Sequence, residues 1–321
     1  MTLCLIADIG GTNARFAFTQ DNKVVAQKDY KCADFATIYD ALSQFFAECN
    51  RGIQSADVGV LSVACPVRGD VIKFTNMPWQ FSCKELQNFL SLTLLDVMND
   101  FAAVARGVLV IDQKYIKTIY DAPRIDQKPI GVLGAGTGLG VASLVHDGTR
   151  YIAVEGEGGH VTMPARSQRE FDIFQKLLDK YSHISAERVC SGKGIENVYH
   201  AICALDNVTP IEGAKAEMIS QKAIDRSCVV CVEVMDLMCA FLGRVTGNLA
   251  LILKAEGGMY IAGGIPPKLG DYFMNSRFVE EYTSKGRMSD VVKSIPVYMI
   301  DHPSVGMVGL QYRADELAQE L

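Results

Sequence analysis

The sequence predicts an α/β protein of two domains that repeat one plan around an interdomain cleft. Three observations predict it. Apolar runs of strand length alternate with amphipathic helical stretches over the first 110 residues, the pattern of helices laid on a buried sheet. One series of elements (apolar strand, glycine turn, second strand, third strand) starts at Leu3 and starts again at Ile130, which reads as internal duplication. Between the two, residues 112–128 turn polar and irregular with Pro123 among them, placing a boundary near residue 110 and a connection up to 129.

In chain order, Leu3 to Ala7 and Arg15 to Thr19 form a β-hairpin around Asp8-Ile9-Gly10-Gly11-Thr12-Asn13. A third strand is expected over Lys23 to Lys31. A helix follows over Asp34 to Asn50, with Phe35, Ile38, Leu42, Phe45 and Phe46 on one stripe. Asp57 to Cys65 is apolar almost throughout, as a strand covered on both faces would be. Val71 to Phe74 is a short strand, and Thr75 to Trp79 a loop carrying the single tryptophan. A helix over Ser82 to Leu90 leads to the strand Thr93 to Met98, which delivers Asn99 and Asp100 onto a helix start. In the second repeat, strands are expected at Ile130 to Leu133, Leu139 to Val145 and Arg150 to Val154. Helices cover Gln168 to Lys180, Gly192 to Leu205 and, with breaks, Lys215 to Leu253. The strand Gly258 to Ala262 is closed by Gly263-Gly264 and Pro266-Pro267; the strand Ile295 to Ile300 and a helix over Ser304 to Leu321 complete the chain.

Composition narrows the function classes. A hydrophobic share of 49% and a charged share of 21% over 321 residues suit folded domains with their own cores. A net charge of −6 without any Lys/Arg run argues against nucleic acid, whose phosphates demand a concentrated basic face. The N-terminus enters a strand at once, without a secretion signal. The most apolar helical stretch, Cys228 to Gly243, is interrupted by Glu233 and Asp236 and is too short to span a membrane. Ten cysteines lie in no disulfide framework, as buried thiols of a cytoplasmic protein would. Cys228 and Cys231 form a lone CxxC on a helical face, expected to pack in the core rather than hold a metal.

Two turns carry chemistry. Consecutive glycines at Gly10 and Gly11 let backbone N–H groups approach phosphate oxygens. Asp8 before them has the charge to hold a Mg²⁺, through water; alternatively it caps the turn of an ordinary hairpin. Gly134-Ala135-Gly136-Thr137-Gly138-Leu139-Gly140 fails the dinucleotide fingerprint, because its third small residue would fall on Leu139. Ser191-Gly192-Lys193 fails the Walker pattern, with Gly194 following and Glu187 where the first glycine belongs. An alternating-glycine hairpin remains, with Thr137 as a donor to phosphate. Two such hairpins, one per repeat, would face each other across a cleft and hold one polyphosphate chain from both sides.

Asp8-Gly10-Gly11-Thr12, Gly134 to Gly140 and Ile261-Ala262-Gly263-Gly264 together resemble the sugar kinase, heat-shock-protein and actin superfamily. There they correspond to the first phosphate motif, the second phosphate motif and the adenosine motif. Ala64-Cys65-Pro66, Asn99-Asp100-Phe101, Glu155-Gly156-Glu157-Gly158-Gly159-His160 and Ser185-Ala186-Glu187-Arg188 bring the resemblance to bacterial ATP-dependent glucokinases, over essentially the whole chain. Relatives that include repressors carry clustered zinc-binding cysteines after the glycine-histidine pair. Residues 161–180 here contain none, which matches the zinc-free branch.

The resemblance implies an actin-like, ribonuclease H-like duplicated plan, with residues 1–110 and 301–321 in a smaller domain and 111–300 in a larger one. It implies ATP and Mg²⁺ as cofactors, glucose as substrate, a homodimer, and no nucleic-acid or membrane partner. Asp100 would be the general base; by residue type alone it serves equally as a first-turn or capping aspartate. Asn99, Asp100, Glu157, His160 and Glu187 would hold the hexose, with Asn76 and Trp79 as further contacts. The nucleotide would lie on Asp8, Ile9, Gly10, Gly11, Thr12, Asn13, Gly136, Thr137, Gly138, Gly263 and Gly264. On this division the second hairpin supplies only backbone and Thr137, and neither hairpin touches the sugar. Gly306 and Gly309, with Ala102, Ala103 and Ala105, would let two helices cross closely at the interdomain hinge. The other readings open are a kinase for another hexose or amino sugar and a non-catalytic sugar-binding regulator.

Overall fold

The computed structural model describes residues 2–74 and 77–321. The chain divides into two units, Met1–Asp112 with Ser304–Leu321, and Gln113–Pro303. The first begins with the expected meander, β1 (Cys4–Ile9), β2 (Asn13–Gln20) and β3 (Lys23–Lys31), paired antiparallel in sequence order. Helix α1 (Ile38–Glu48) starts later than the apolar stripe predicts. Thr37 sets the start: its hydroxyl accepts from Asp40 N–H while the Asp40 carboxylate accepts from Thr37 N–H, a reciprocal cap that fixes the first turn. Phe35 therefore lies outside the helix, while Ile38, Leu42, Phe45 and Phe46 are buried, the last two against Phe18 of the sheet.

Next come β4 (Val58–Val63), buried at all six positions, and the small ribbon β5 (Val71–Lys73) with β6 (Gln80–Ser82). Helix α2 (Cys83–Leu90), strand β7 (Leu94–Asn99) and helix α3 (Asp100–Val108) follow. The sheet runs β3-β2-β1-β4-β7, with β4 parallel to β1 and β7 parallel to β4.

The second unit opens with β8 (Ile116–Tyr120), then β9 (Ile130–Ala135), β10 (Leu139–His146) and β11 (Tyr151–Gly156). Helices α4 (Gln168–Leu178), α5 (Gly192–Leu205), α6 (Ala216–Ile224) and α7 (Val229–Leu253) precede β12 (Met259–Ala262). The short helices α8 (Ile265–Leu269), α9 (Asp271–Met274), α10 (Phe278–Thr283) and α11 (Ser289–Lys293) lead to β13 (Val297–Ile300). The sheet order is β11-β10-β9-β12-β13-β8. Its first five strands repeat the other sheet: an antiparallel meander whose first strand, β9, has β12 parallel on its far side and β13 parallel beyond. The duplication read from the sequence is thus a duplication of topology.

Two local expectations are corrected. The connection expected to be irregular over residues 112–128 contains β8, an edge strand antiparallel to β13, with Lys117 paired to Asp301 at 2.7 Å. Edge strands carry polar side chains that blunt their free side, so hydrophobic periodicity does not reveal them. Pro266 and Pro267 do not end the strand segment but start α8, where a missing N–H is one the helix would leave unpaired anyway. The core of this unit is centred on α7, and within it Arg244, 2% exposed, is held by both oxygens of Glu170 and by Glu281 at 2.9–3.2 Å. Among the described residues no helix is long and apolar enough to cross a membrane.

The chain then returns to the first unit with α12 (Val305–Ala318), which packs on α3, β1 and β4. The crossing with α3 is as close as backbone allows. A Cβ on Gly309 would run into the Ala103 carbonyl, whereas one on Gly306 would meet only Val104 Cγ2, at 3.8 Å. Gly309→Ala is therefore expected to destabilise the protein by about 1–3 kcal/mol through overpacking. Gly306→Ala should be neutral or stabilising by up to about 1 kcal/mol from helix propensity. Urea unfolding of both variants checks the contrast, and equal midpoints would refute it.

Candidate active site

In the first unit the candidate residues sit at the carboxyl ends of parallel strands. Asp8 on β1 lies opposite Ser62 on β4, and Val63 lies opposite Asn99, the last residue of β7. Loops at such an edge are where open α/β sheets bind ligands. The buried Ser62 hydroxyl donates to Asp8 Oδ1 at 2.7 Å and so fixes the half-buried carboxylate. Beyond Asp8 the turn is closed by Gly10 N–H donating to the Asn13 carbonyl at 2.9 Å, and is anchored by Cys32 N–H donating to the Thr12 carbonyl. Gly10 and Gly11 are half-exposed and Thr12 and Asn13 exposed. Ile9 is fully buried, backbone included, and its carbonyl accepts from Ala64 N–H at 3.0 Å, so it presents no exposed surface to a ligand.

Asn99 and Asp100 divide the roles that the sequence leaves open. Asn99 is the N-cap of α3, its Oδ1 accepting from Phe101 N–H at 2.9 Å. Asp100 is the first helical residue, and its Oδ1 accepts from the same N–H at 2.8 Å. Its carboxylate makes itself felt at Cys65, whose thiol is pushed up by burial and further by the negative charge of Asp100. Of the two further sugar contacts expected, Asn76 lies outside the described residues. Trp79 is corrected: it is buried in the core, and its indole N–H donates to the Phe35 carbonyl at 3.1 Å.

In the second unit the β9–β10 turn holds Gly136, Thr137 and Gly138, with Gly136 N–H donating to the Gly138 carbonyl and Thr137 exposed. Parallel pairing of β9 with β12 sets Ala262 opposite Gly134, so Gly263 and Gly264 leave the sheet at the same edge as that turn. Gly263 has φ +87° and sits against the Ala135 backbone, a conformation and a closeness that exclude any side chain. The N-terminus of α5 joins them. Gly192 N–H donates to the Gly136 carbonyl at 2.8 Å, and Ser191 caps the helix through Gly194 N–H. A 14-residue helix thus presents its positive end beside the second hairpin.

Glu157, His160 and Glu187 come together on one clasp. Glu187 N–H donates to the Gly159 carbonyl at 2.8 Å, Ala186 N–H to Val161, and Met163 N–H to Ile184. His160 Nε2 lies 3.8 Å from Glu157 Oε2 across a single turn, both side chains being well exposed. The division between hairpins and sugar residues is less clean than the sequence suggests. Glu187 Oε2 accepts from Leu139 N–H at 3.0 Å, tying one of the expected hexose ligands to the second hairpin. Two candidate residues escape the sequence reading. Ser62 has no local signature, because its role depends on strand register; Ser191, which fails the Walker pattern, is legible only as a helix cap.

The family model for glucokinase matches residues 5–317 of this chain. The chain belongs to the glucokinase family. It is 40% identical over 307 residues to the glucokinase of Photorhabdus laumondii, covering 95% of this chain and 94% of that one. The crystal structure of glucokinase from an Antarctic psychrotroph is similar at a TM-score of 0.87 and 31% identity, over 98% of this chain and 99% of that one. The glucokinase of Balamuthia mandrillaris, solved in complex with glucose, shares the fold at a TM-score of 0.81 with 22% identity, over 98% and 94% of the two chains. The glucokinase family is a class of ATP-dependent hexose kinases, and the α/β fold is the actin-like one expected.

Gly159 is the point on which this clasp turns, because a Cβ there would run into the Leu139 carbonyl. Gly159→Ala is expected to cost about 1–3 kcal/mol of stability. Gly156→Ala, whose Cβ would meet only the Val141 carbonyl at 3.8 Å, should cost little. Chemical denaturation of the pair tests this, and an unperturbed Gly159→Ala protein would disprove it.

Proposed function

We propose that the protein transfers the γ-phosphoryl group of ATP to the 6-hydroxyl of glucose, with Asp100 as the general base. The observation that carries this reading is the position of Asp100, a half-buried carboxylate at the first residue of α3 and at the same sheet edge as the Asp8 turn. A sugar hydroxyl is far too weak an acid to ionise near neutral pH. A carboxylate that takes its proton as the new O–P bond forms lowers the barrier. The positive end of α3 favours the ionised carboxylate that a base requires.

Asn99, Glu157, His160 and Glu187 complete the hexose set. Each ring hydroxyl both donates and accepts, and an amide, an imidazole and carboxylates can satisfy several at once. A site built this way rejects analogues that lack a hydroxyl, because its own polar groups would be left unpaired. The two glycine turns and the N-terminus of α5 offer N–H groups to the phosphates, and Gly263 and Gly264 offer bare backbone to the adenosine. Among the described residues no three His, Cys, Asp or Glu side chains gather into a metal cage. A Mg²⁺ carried on phosphate oxygens and water needs only one or two carboxylates, and Asp8, oriented by Ser62, suits it. The ion, when bound, neutralises phosphate charge. The ten free thiols support work in the reducing cytoplasm, and a homodimer belongs to the same reading by family resemblance.

Asp100→Asn is expected to lower kcat by about 10²–10⁴-fold, with a smaller change in KM for ATP; near-normal turnover would remove Asp100 from the role. Glu187→Ala should raise KM for ATP as well as for glucose, each by about tenfold, since one charged hydrogen bond is lost on each side. Glu157→Ala should raise KM for glucose alone. A coupled assay of ADP formation with each substrate varied in turn checks all three, and a Glu187→Ala enzyme with an unchanged KM for ATP would break the link to the second hairpin.

A further inference from the structure

Beside the Glu157–His160 turn, the second unit carries a cavity of about 280 Å³ lined by Lys180, Arg188, His160, His183, Tyr181 and two serines. Its lining contains no carboxylate. By contrast, Arg169 in the same unit is clasped by Asp206 and Glu233, and Arg244 by Glu170 and Glu281.

Two cations share one aromatic ring here. Arg188 Cζ lies 4.1 Å and Lys180 Nζ 5.1 Å from the Tyr181 ring centroid. The seat is held by a single buried amide. Asn197, 6% exposed, accepts from the Tyr181 hydroxyl at 2.9 Å and donates to the Arg188 carbonyl at 3.2 Å. His183 is turned by its Nε2 contact with Thr162 Oγ1 at 2.9 Å. The ring attracts each cation, but the two repel each other, and among the described residues neither has a carboxylate in ion-pair contact. An anion between them removes that repulsion.

We propose that this cavity binds a phosphate dianion, as free phosphate or as the phosphoryl group of a phosphomonoester. The guanidinium offers a planar fork that matches two phosphate oxygens, the ammonium a mobile point charge, and Ser182 and Ser185 hydroxyl donors. Two cations without an acid select a dianion over a monocarboxylate, and the volume takes a phosphate with a small organic group. His160 belongs both to this cavity and to the Glu157–Glu187 clasp. Binding itself does not depend on the kinase reading and is measured without turnover.

The test is calorimetric titration of the full chain at constant ionic strength, with inorganic phosphate in one arm and glycerol 3-phosphate in the other. The wild-type protein is expected to bind at least one saturably, and the tighter arm identifies the source. The double substitution Lys180→Gln with Arg188→Gln should weaken that binding about tenfold or more, and Lys180→Gln alone about threefold. Lys180→Arg, which keeps the charge, should restore it. Phosphate held on the glycine hairpins would ignore these substitutions, so an unchanged affinity in a folded double variant overturns the proposal. So does a wild-type titration without saturation in either arm, or a Lys180→Arg protein as weak as Lys180→Gln.

Discussion

Parallel strand register is the constraint from which the candidate chemistry follows. β1, β4 and β7 run the same way, so Asp8, Ser62 and Asn99 reach the same edge of their sheet although 91 residues separate the first from the last. β9 and β12 do the same for Gly136 and Gly263. Parallel neighbours cannot be joined by a tight turn, and each crossover must pass through a helix or long loop. Each crossover leaves the sheet at the carboxyl edge, as β7 does directly into α3, so the first residues of the connection are the ones placed to carry function. A slip of one residue between β1 and β4 would turn Ser62 away from Asp8 and reverse the face of every side chain on the strand.

Close backbone approach is the second recurring device. Gly159 against Leu139, Gly263 against Ala135 and Gly309 against Ala103 each bring two chain segments nearer than any side chain permits. The first two tighten loops around the second hairpin and the third locks α12 to α3. What these contacts provide is position. In phosphoryl transfer most of the rate comes from holding groups in line and neutralising charge, so geometry held by backbone is well matched to the chemistry proposed.

The meander strands, both glycine turns and the long helices were legible because each is written locally, as alternation, as paired glycines or as a 3.6-residue stripe. The late start of α1 was also local, since Thr37 and Asp40 spell a reciprocal cap, but the stripe through Phe35 pulled the expected boundary forward. β8 was hidden because its sequence, Ile-Lys-Thr-Ile-Tyr, is that of a polar edge. Trp79, expected as a further sugar contact, lies in a loop whose sequence carries no mark of burial, yet its ring joins the core that α1 covers. The Ser62–Asp8 and Glu187–Leu139 bonds had no local signature at all. Their partners are 54 and 48 residues apart, and only the folded register brings them together.

The position of α12 has a consequence for how the chain is made. This helix covers β1 and β4 and fills the groove of α3, and Cys4 Sγ donates to the Ala314 carbonyl within that contact. In sequence it follows the whole of the second unit. During synthesis, therefore, the second unit can close on itself while the first still waits with an apolar sheet face uncovered. A nascent chain in that state offers a sticky surface for as long as some 190 further residues take to translate, on the order of 10–40 s at ordinary elongation rates. The order of the chain thus makes the unit synthesised first the one completed last.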